Sequence, residues 1–388
     1  MPRFPGHARS AEGLSDRVFG QLVQKSLGSA RRVHPLHVGD TYLDPLPAAR
    51  AEAQRTSDRP RLHNYAPVQG EPELIDAILR KVQRRSGVLL ERGNVQVMSG
   101  ATGGLGVICS ALLEPDDELI LLAPFWPLIR GAVRLRGAVP VEVPFYTRLA
   151  EPAFDPIATL EAAITPRTAA IYLNSPHNPT GAVLPEPVVA AIAALAVRHN
   201  LWVLTDEVYE DLWYGAQPPA AIWARAELAG RAIATHSVSK AYGLAGARVG
   251  FTHGPTDVMQ VIRGVQTFYS YCAPRPMQLG AARALDEGDA WLADARMRYA
   301  EAARVSSEAL GLPMPAGGTF LFFDASPYLR SDEDLMGFLE RCLDAGVMLT
   351  PGSASGRDFE RWARLCYTSV PPDELGEALD WLKTLLVR

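Results

Sequence analysis

Between about residues 95 and 255, short apolar runs alternate with longer stretches whose apolar positions recur at helical spacing. The runs are VQVM at 95-98, ELILLA at 118-123, VPVEV at 139-143, AAIYLN at 169-174, LWVLTD at 201-206 and AIATHS at 232-237. Each is short, and apolar without alternation, which predicts strands buried on both faces of a largely parallel sheet. The clearest helix between them is PEPVVAAIAALAVRH at 185-199, with prolines in its first turn, where a missing N–H costs nothing, and Asn200 at its end. The repeating unit is βαβ, so the fold class is α/β, a large domain of mostly parallel sheet flanked by helices.

After about residue 285 the pattern changes. Ala/Leu/Arg/Glu-rich helices are predicted at 288-310 and 372-386, beside short strands TFLFFD at 319-324 and WARLCY at 362-367. This reads as a smaller α+β domain. The first 45 residues lack clear periodicity and are expected to pack back onto it, which divides the chain into an N-terminal segment 1-45, a large domain 46-285 and a small C-terminal domain 286-388. A length of 388 residues fits two packed domains.

Composition narrows the function. Hydrophobic residues at 48% and charged residues at 21% are those of a globular chain rather than a disordered or fibrous one. With 38 basic against 43 acidic residues, net charge -5, no positive field would attract nucleic acid or an anionic membrane. The opening MPRFPGHARSAEGLSD has no apolar signal-peptide core, and no run approaches the ~18 apolar residues of a membrane span, so a cytoplasmic protein is expected. Cys109, Cys272, Cys342 and Cys366 form neither CxxC pairs nor a Cys/His cluster; they are expected to be buried packing residues, with no metal site.

Candidate chemistry lies where strands end. Ser237-Val238-Ser239-Lys240 follows the strand at 232-237, with Arg248 eight residues after the lysine, and open α/β sheets bind ligands at the carboxyl ends of their strands. Hydroxyls, glycines and an arginine in such a loop suit a phosphate. Asp206 and Tyr209 follow the strand at 201-206; the carboxylate could cap a helix or hold a ring nitrogen protonated, and the tyrosine could donate to a phenolic oxygen. Asn178, in the turn-rich Asn174-Ser175-Pro176-His177-Asn178-Pro179-Thr180-Gly181, could offer its amide to a ring oxygen. Ser99-Gly100-Ala101-Thr102 is a strand-to-helix turn whose free N–H groups suit an anion.

In this order and at these separations, the four segments resemble the class I/II aminotransferases, the fold type I group of pyridoxal-phosphate enzymes, from about Gly39 to Arg364. The resemblance implies pyridoxal 5'-phosphate held as a Schiff base on Lys240, with Asp206 on its ring nitrogen and Tyr209 and Asn178 on its phenolic oxygen. It further implies Arg248, Ser237 and the backbone of Ala101 and Thr102 on the phosphate, and Trp126 stacked on the ring. Arg364 resembles the arginine that grips the substrate α-carboxylate, and Tyr65 the tyrosine that reaches the neighbouring subunit's phosphate, so a homodimer with shared sites is implied. Gly39 and Tyr42 fall in a loop expected to line the substrate pocket, where Thr41-Tyr42 replaces the smaller or proline residues usual in the family; Gly103-Gly104 is a second departure. The implied reaction moves an amino group between an amino acid and a 2-keto acid by a ping-pong mechanism. Elimination, decarboxylation, cyclisation or oxidation on the same cofactor, and more remotely a non-catalytic regulator, share these residues. Tyr42, Trp126, Tyr269 and Tyr271 favour a bulky donor side chain; an acidic one would want a second arginine, for which Arg130 and Arg275 are candidates.

Overall fold

The computed structural model describes residues 8–14, 20–29, 31–54 and 59–386. The apolar runs become a seven-stranded sheet: β1 (Val95–Met98), β2 (Glu118–Ala123), β3 (Val139–Pro144), β4 (Thr168–Asn174), β5 (Trp202–Asp206), β6 (Ala232–Ser237) and β7 (Gly250–His253). The order is β1-β7-β6-β5-β4-β2-β3. Strands β3, β2, β4, β5 and β6 are parallel, while β7 runs antiparallel to both its neighbours. β7 has no apolar run to announce it. Its place is set by close approach: a Cβ on Gly250 would lie 2.9 Å from the Ala101 nitrogen and 2.6 Å from the His236 carbonyl oxygen.

Both faces of the sheet are buried, as the unalternating runs require. Along β4, Ile171 and Leu173 enter one core with Leu74, Ile78 and Ile192 from helices Pro72–Ser86 and Glu186–Arg198. Ala170 and Tyr172 enter the other with Ile108, Val133 and Ile262 from helices Gly100–Leu112, Pro127–Leu135 and Thr256–Tyr269. Each such aliphatic side chain contributes ~1.5–3 kcal/mol by leaving water, so a one-residue slip of β4 would be strongly opposed.

A second, antiparallel sheet has the order β8-β10-β9, from β8 (Phe320–Asp324), β9 (Thr350–Pro351) and β10 (Trp362–Cys366). Helices Asp289–Leu310, Leu335–Asp344 and Pro372–Leu385 share its core through Ala303, Phe338 and Leu379. Within the first 45 residues, Leu22 and Leu36 enter this core and His34 bridges Val347, whereas Arg134 donates to the Glu12 carbonyl at 2.8 Å, beside the large sheet. The remainder of that segment, 1–7, 15–19 and 30, lies outside the described residues. Cys109, Cys342 and Cys366 are buried thiols as expected, but Cys272 is only half-buried, because it follows an exposed turn after helix Thr256–Tyr269. No helix among the described residues is long and apolar enough to cross a membrane.

The consequence for function is one of register. Asn174 of β4 stands opposite Asp206 of β5, and Asp206 opposite Thr235 of β6. The parallel strands end side by side, and the loops leaving them meet.

Candidate active site

At that meeting point lies a cavity of about 240 Å³. Nine of the residues singled out in the sequence line it: Ala101, Thr102 and Trp126 on one side, Asn178, Asp206 and Tyr209 across from them, and Ser237, Lys240 and Arg248 from the loops after β6.

One end suits a phosphate. The helix Gly100–Leu112 begins without any side-chain cap, so the N–H groups of its first turn carry the positive end of the helix dipole unspent. Gly100 has φ +74, and a Cβ there would collide with the Arg248 guanidinium, so glycine is what lets the arginine close over the helix start. Arg248 is itself left-handed at φ 52, steadied by donating to the Ala245 carbonyl at 2.9 Å. Ser237 Oγ bonds Ser239 Oγ at 2.8 Å and accepts from the Ser239 N–H at 3.1 Å, holding both hydroxyls at this end.

The other end suits a protonated ring nitrogen. Asp206 is buried at 6% exposure. Its carboxylate accepts from the Tyr172 hydroxyl at 2.6 Å and the Val208 N–H at 3.1 Å, so it caps its own turn and still faces the cavity. Burial pushes its carboxyl up, with the Tyr172 hydroxyl pulling the other way, and a cation beside it would restore the charged form. Tyr172 was not singled out by sequence; a lone hydroxyl inside the apolar run AAIYLN was its signal.

Between the ends, Lys240 Nζ donates to the Gly39 carbonyl. Burial holds its ammonium below the ordinary lysine range, against the opposing pull of Asp40. Tyr209 is buried edge-on against Phe320, with ring centres 5.9 Å apart, and burial raises its hydroxyl further, so it remains a proton donor. Asn178 is fixed at both ends, its N–H on the Asn174 side chain at 2.7 Å and its side-chain oxygen accepting from Arg364 at 3.0 Å. That leaves the amide NH₂ for the cavity.

Arg364, from β10, stands behind Asn178. Its guanidinium also donates to the His37 carbonyl at 3.0 Å and to Thr350 Oγ1 at 3.3 Å, and its carbon lies 4.2 Å from the centre of the Phe320 ring. It is 6% exposed, its Nε has no partner, and among the described residues no carboxylate pairs with it. A buried, uncompensated cation is costly unless an anion arrives. The same cation, added to burial, pushes His37 down to about 4, burial being the larger cause.

Four predicted positions stand apart. Tyr42 packs edge-on against Tyr299 at 5.7 Å and is not part of the cavity wall. Tyr65 is 81% exposed beside Tyr271 and does not reach this chain's own cavity. The candidate second arginines are both occupied, Arg130 with Glu142 at 3.2 Å and Arg275 with Glu71 at 2.7 Å.

Comparison with known proteins identifies the family. The family Aminotransferase class I and II matches residues 31–382. An aspartate/prephenate aminotransferase of Thermus thermophilus is 33% identical over 98% of this chain and 95% of its own length. An arginine-pyruvate transaminase of Pseudomonas aeruginosa is 34% identical over 91% of this chain and 89% of its own. The solved structure of a double mutant of Thermus thermophilus aspartate aminotransferase superposes with a TM-score of 0.88 at 29% identity, covering 98% of this chain and all of that one. The chain belongs to the class I and II aminotransferases and is an enzyme that transfers amino groups.

Proposed function

We propose that this enzyme transfers the amino group of an α-amino acid to a 2-keto acid with pyridoxal 5'-phosphate held at Lys240, as a cytoplasmic homodimer. The observation that carries the reading is one cavity lined by a half-buried lysine, a buried carboxylate and an uncapped helix start under an arginine. Bound there, the cofactor supplies an electron sink for the donor's α-carbon. Arg248, Ser237 and the N–H groups of Ala101 and Thr102 would hold its phosphate, Asp206 its ring nitrogen, Tyr209 and Asn178 its phenolic oxygen, Trp126 its ring face and Lys240 its aldehyde carbon.

The remaining work falls to the side chains. Lys240, its basicity depressed by burial, is suited to take the α-proton of the donor and return it. Arg364 is held at three acceptors with its fork toward Asn178, so it would receive the α-carboxylate and fix which α-bond faces Lys240. Tyr209 keeps its proton and donates. The first keto acid leaves before the second enters, which is ping-pong order. The exposure of Tyr65, together with Phe268 at 91% and Tyr269 at 65%, supports a partner chain over this face and Tyr65 in the partner's site. The division into segment 1-45, large domain 46-285 and small domain 286-388 puts Arg364 and the phosphate end on different domains.

The donor side chain is read from an adjoining cleft of about 560 Å³, which shares Thr102 and Leu128 with the cavity. Leu14, Pro127, Leu135, Pro351 and Ala354 give it apolar walls, and of its two arginines Arg130 is occupied by Glu142 and Arg134 by the Glu12 carbonyl. This supports a bulky apolar or aromatic donor over an acidic one. The test is a visible absorbance titration of wild type and Lys240→Ala with pyridoxal phosphate. Wild type is expected to show a cofactor band that an amino acid removes and a 2-keto acid restores; a band of equal intensity in Lys240→Ala would defeat the reading.

A further inference from the structure

We propose that the cleft between helices Pro72–Ser86 and Asp289–Leu310 is a second ligand site, taking a small dianionic oxyanion, phosphate or a dicarboxylate. The cleft encloses about 280 Å³, and its charged wall is Lys81, Arg84, Arg85 and Arg296 against Asp211 and Asp289. Lys81 and Asp211 are spent on each other at 2.5 Å, with Glu210 behind them at 3.2 Å from Lys81. Arg85 and Arg296 have no such partner. Arg296 lies over Trp213, 3.9 Å from its ring centre, and among the described residues its guanidinium makes no hydrogen bond and no ion pair. Arg85 approaches the same indole at 5.7 Å; it donates one hydrogen bond to the Pro219 carbonyl at 2.7 Å, yet its Nε is buried without a partner. Arg84 donates to the Leu285 carbonyl at 2.7 Å and stands 3.9 Å from Asp289.

Two guanidiniums gathered on one indole repel each other. The ring's negative face offsets part of that, as does the through-space pull of Glu207 and Glu210 on Arg85, but no carboxylate lies within ion-pair distance of either among the described residues, and a guanidinium's fork of donors is the geometry that oxyanions accept. The position gives such an ion a route to the catalytic loops. Asp211 is two residues after Tyr209, and Tyr242, whose ring lies 5.7 Å from Lys81 Nζ, is two residues after Lys240. An ion joining Arg85 to Arg296 would also tie the helix layer of the large sheet to that of the small one. The inference stands on this cleft alone and does not need the amino-transfer reading.

The test is calorimetry on the cofactor-saturated enzyme, so that the phosphate end of the active cavity is filled, with inorganic phosphate in one arm and succinate in the other. One ion per chain is expected, bound ~10-fold more weakly by Arg296→Gln, as the loss of one charge-assisted fork predicts. Arg296→Lys, which keeps charge but not fork, should weaken binding by a comparable factor and guards against misfolding of the first variant. Binding of phosphate alone or of succinate alone, when lost in the variants, names the ion. Affinities equal in wild type and both Arg296 variants, or no binding in either arm, overturn the proposal.

Discussion

Two clusters of buried charge sit on opposite faces of β5 and β6, and they are built on opposite terms. Behind the strands, His236 Nδ1 meets Glu210 at 2.8 Å, His236 Nε2 meets His253 at 3.0 Å, and Glu210 and Asp211 share Lys81. Every charge there has its counter-charge, and burial is offset by mutual attraction: Lys81 is held above its usual range, and Glu210 below its own by Lys81 and then His236. In front, Lys240 has only a carbonyl, Arg364 has a carbonyl, a hydroxyl and an amide, and Asp206 has a hydroxyl and an N–H. A saturated network fixes structure, whereas charges buried beside open space without counter-charges are where a ligand completes the arrangement.

That contrast can be broken from either side. The largest effect is expected in front: Lys240→Ala should lower amino transfer by at least ~10³-fold, measured as keto acid released, while the melting temperature changes little. Behind, Lys81→Met strips the counter-charge from two buried carboxylates and should cost ~3–5 kcal/mol in urea unfolding, with the rate per folded molecule nearly kept. Loss of rate without loss of stability would merge the two clusters into one. Arg364→Lys keeps charge but loses the fork and should lower kcat/KM by ~10²-fold with little change in cofactor affinity. The smallest effect concerns Glu207, whose carboxyl burial, and then Glu210, push up to about 8 from 4.5. The folded state therefore holds a proton that the unfolded chain releases, so stability falls as pH rises from 4.5 toward 8. Glu207→Gln should flatten that slope, checked by unfolding at a series of pH values.

Strands buried on both faces were legible because their runs are apolar without alternation; β5 and β6 fall within a residue of their expected limits. β7 and the two-residue β9 were not, since GFTH and TP carry no pattern and tertiary approach places them. In the site, Lys240, Asp206, Tyr209, Asn178 and Arg248 were visible because loops after parallel strands expose a few polar residues against an apolar background. The rear cluster was invisible for the opposite reason: Lys81 and Asp211 are 130 residues apart, and nothing local marks either as half of a buried pair. Tyr172 was hidden by its own strand, and the Gly39 carbonyl, being backbone, has no signature at all.

The most direct measurement of the central claim is a single turnover. The cofactor-loaded enzyme is mixed with excess donor amino acid and no acceptor, and keto acid and ammonia are counted per chain. One keto acid per chain, no ammonia, and resumption only when a 2-keto acid is added are the predicted results. Keto acid accumulating past one per chain without an acceptor, or ammonia released in step with it, would contradict amino transfer at Lys240.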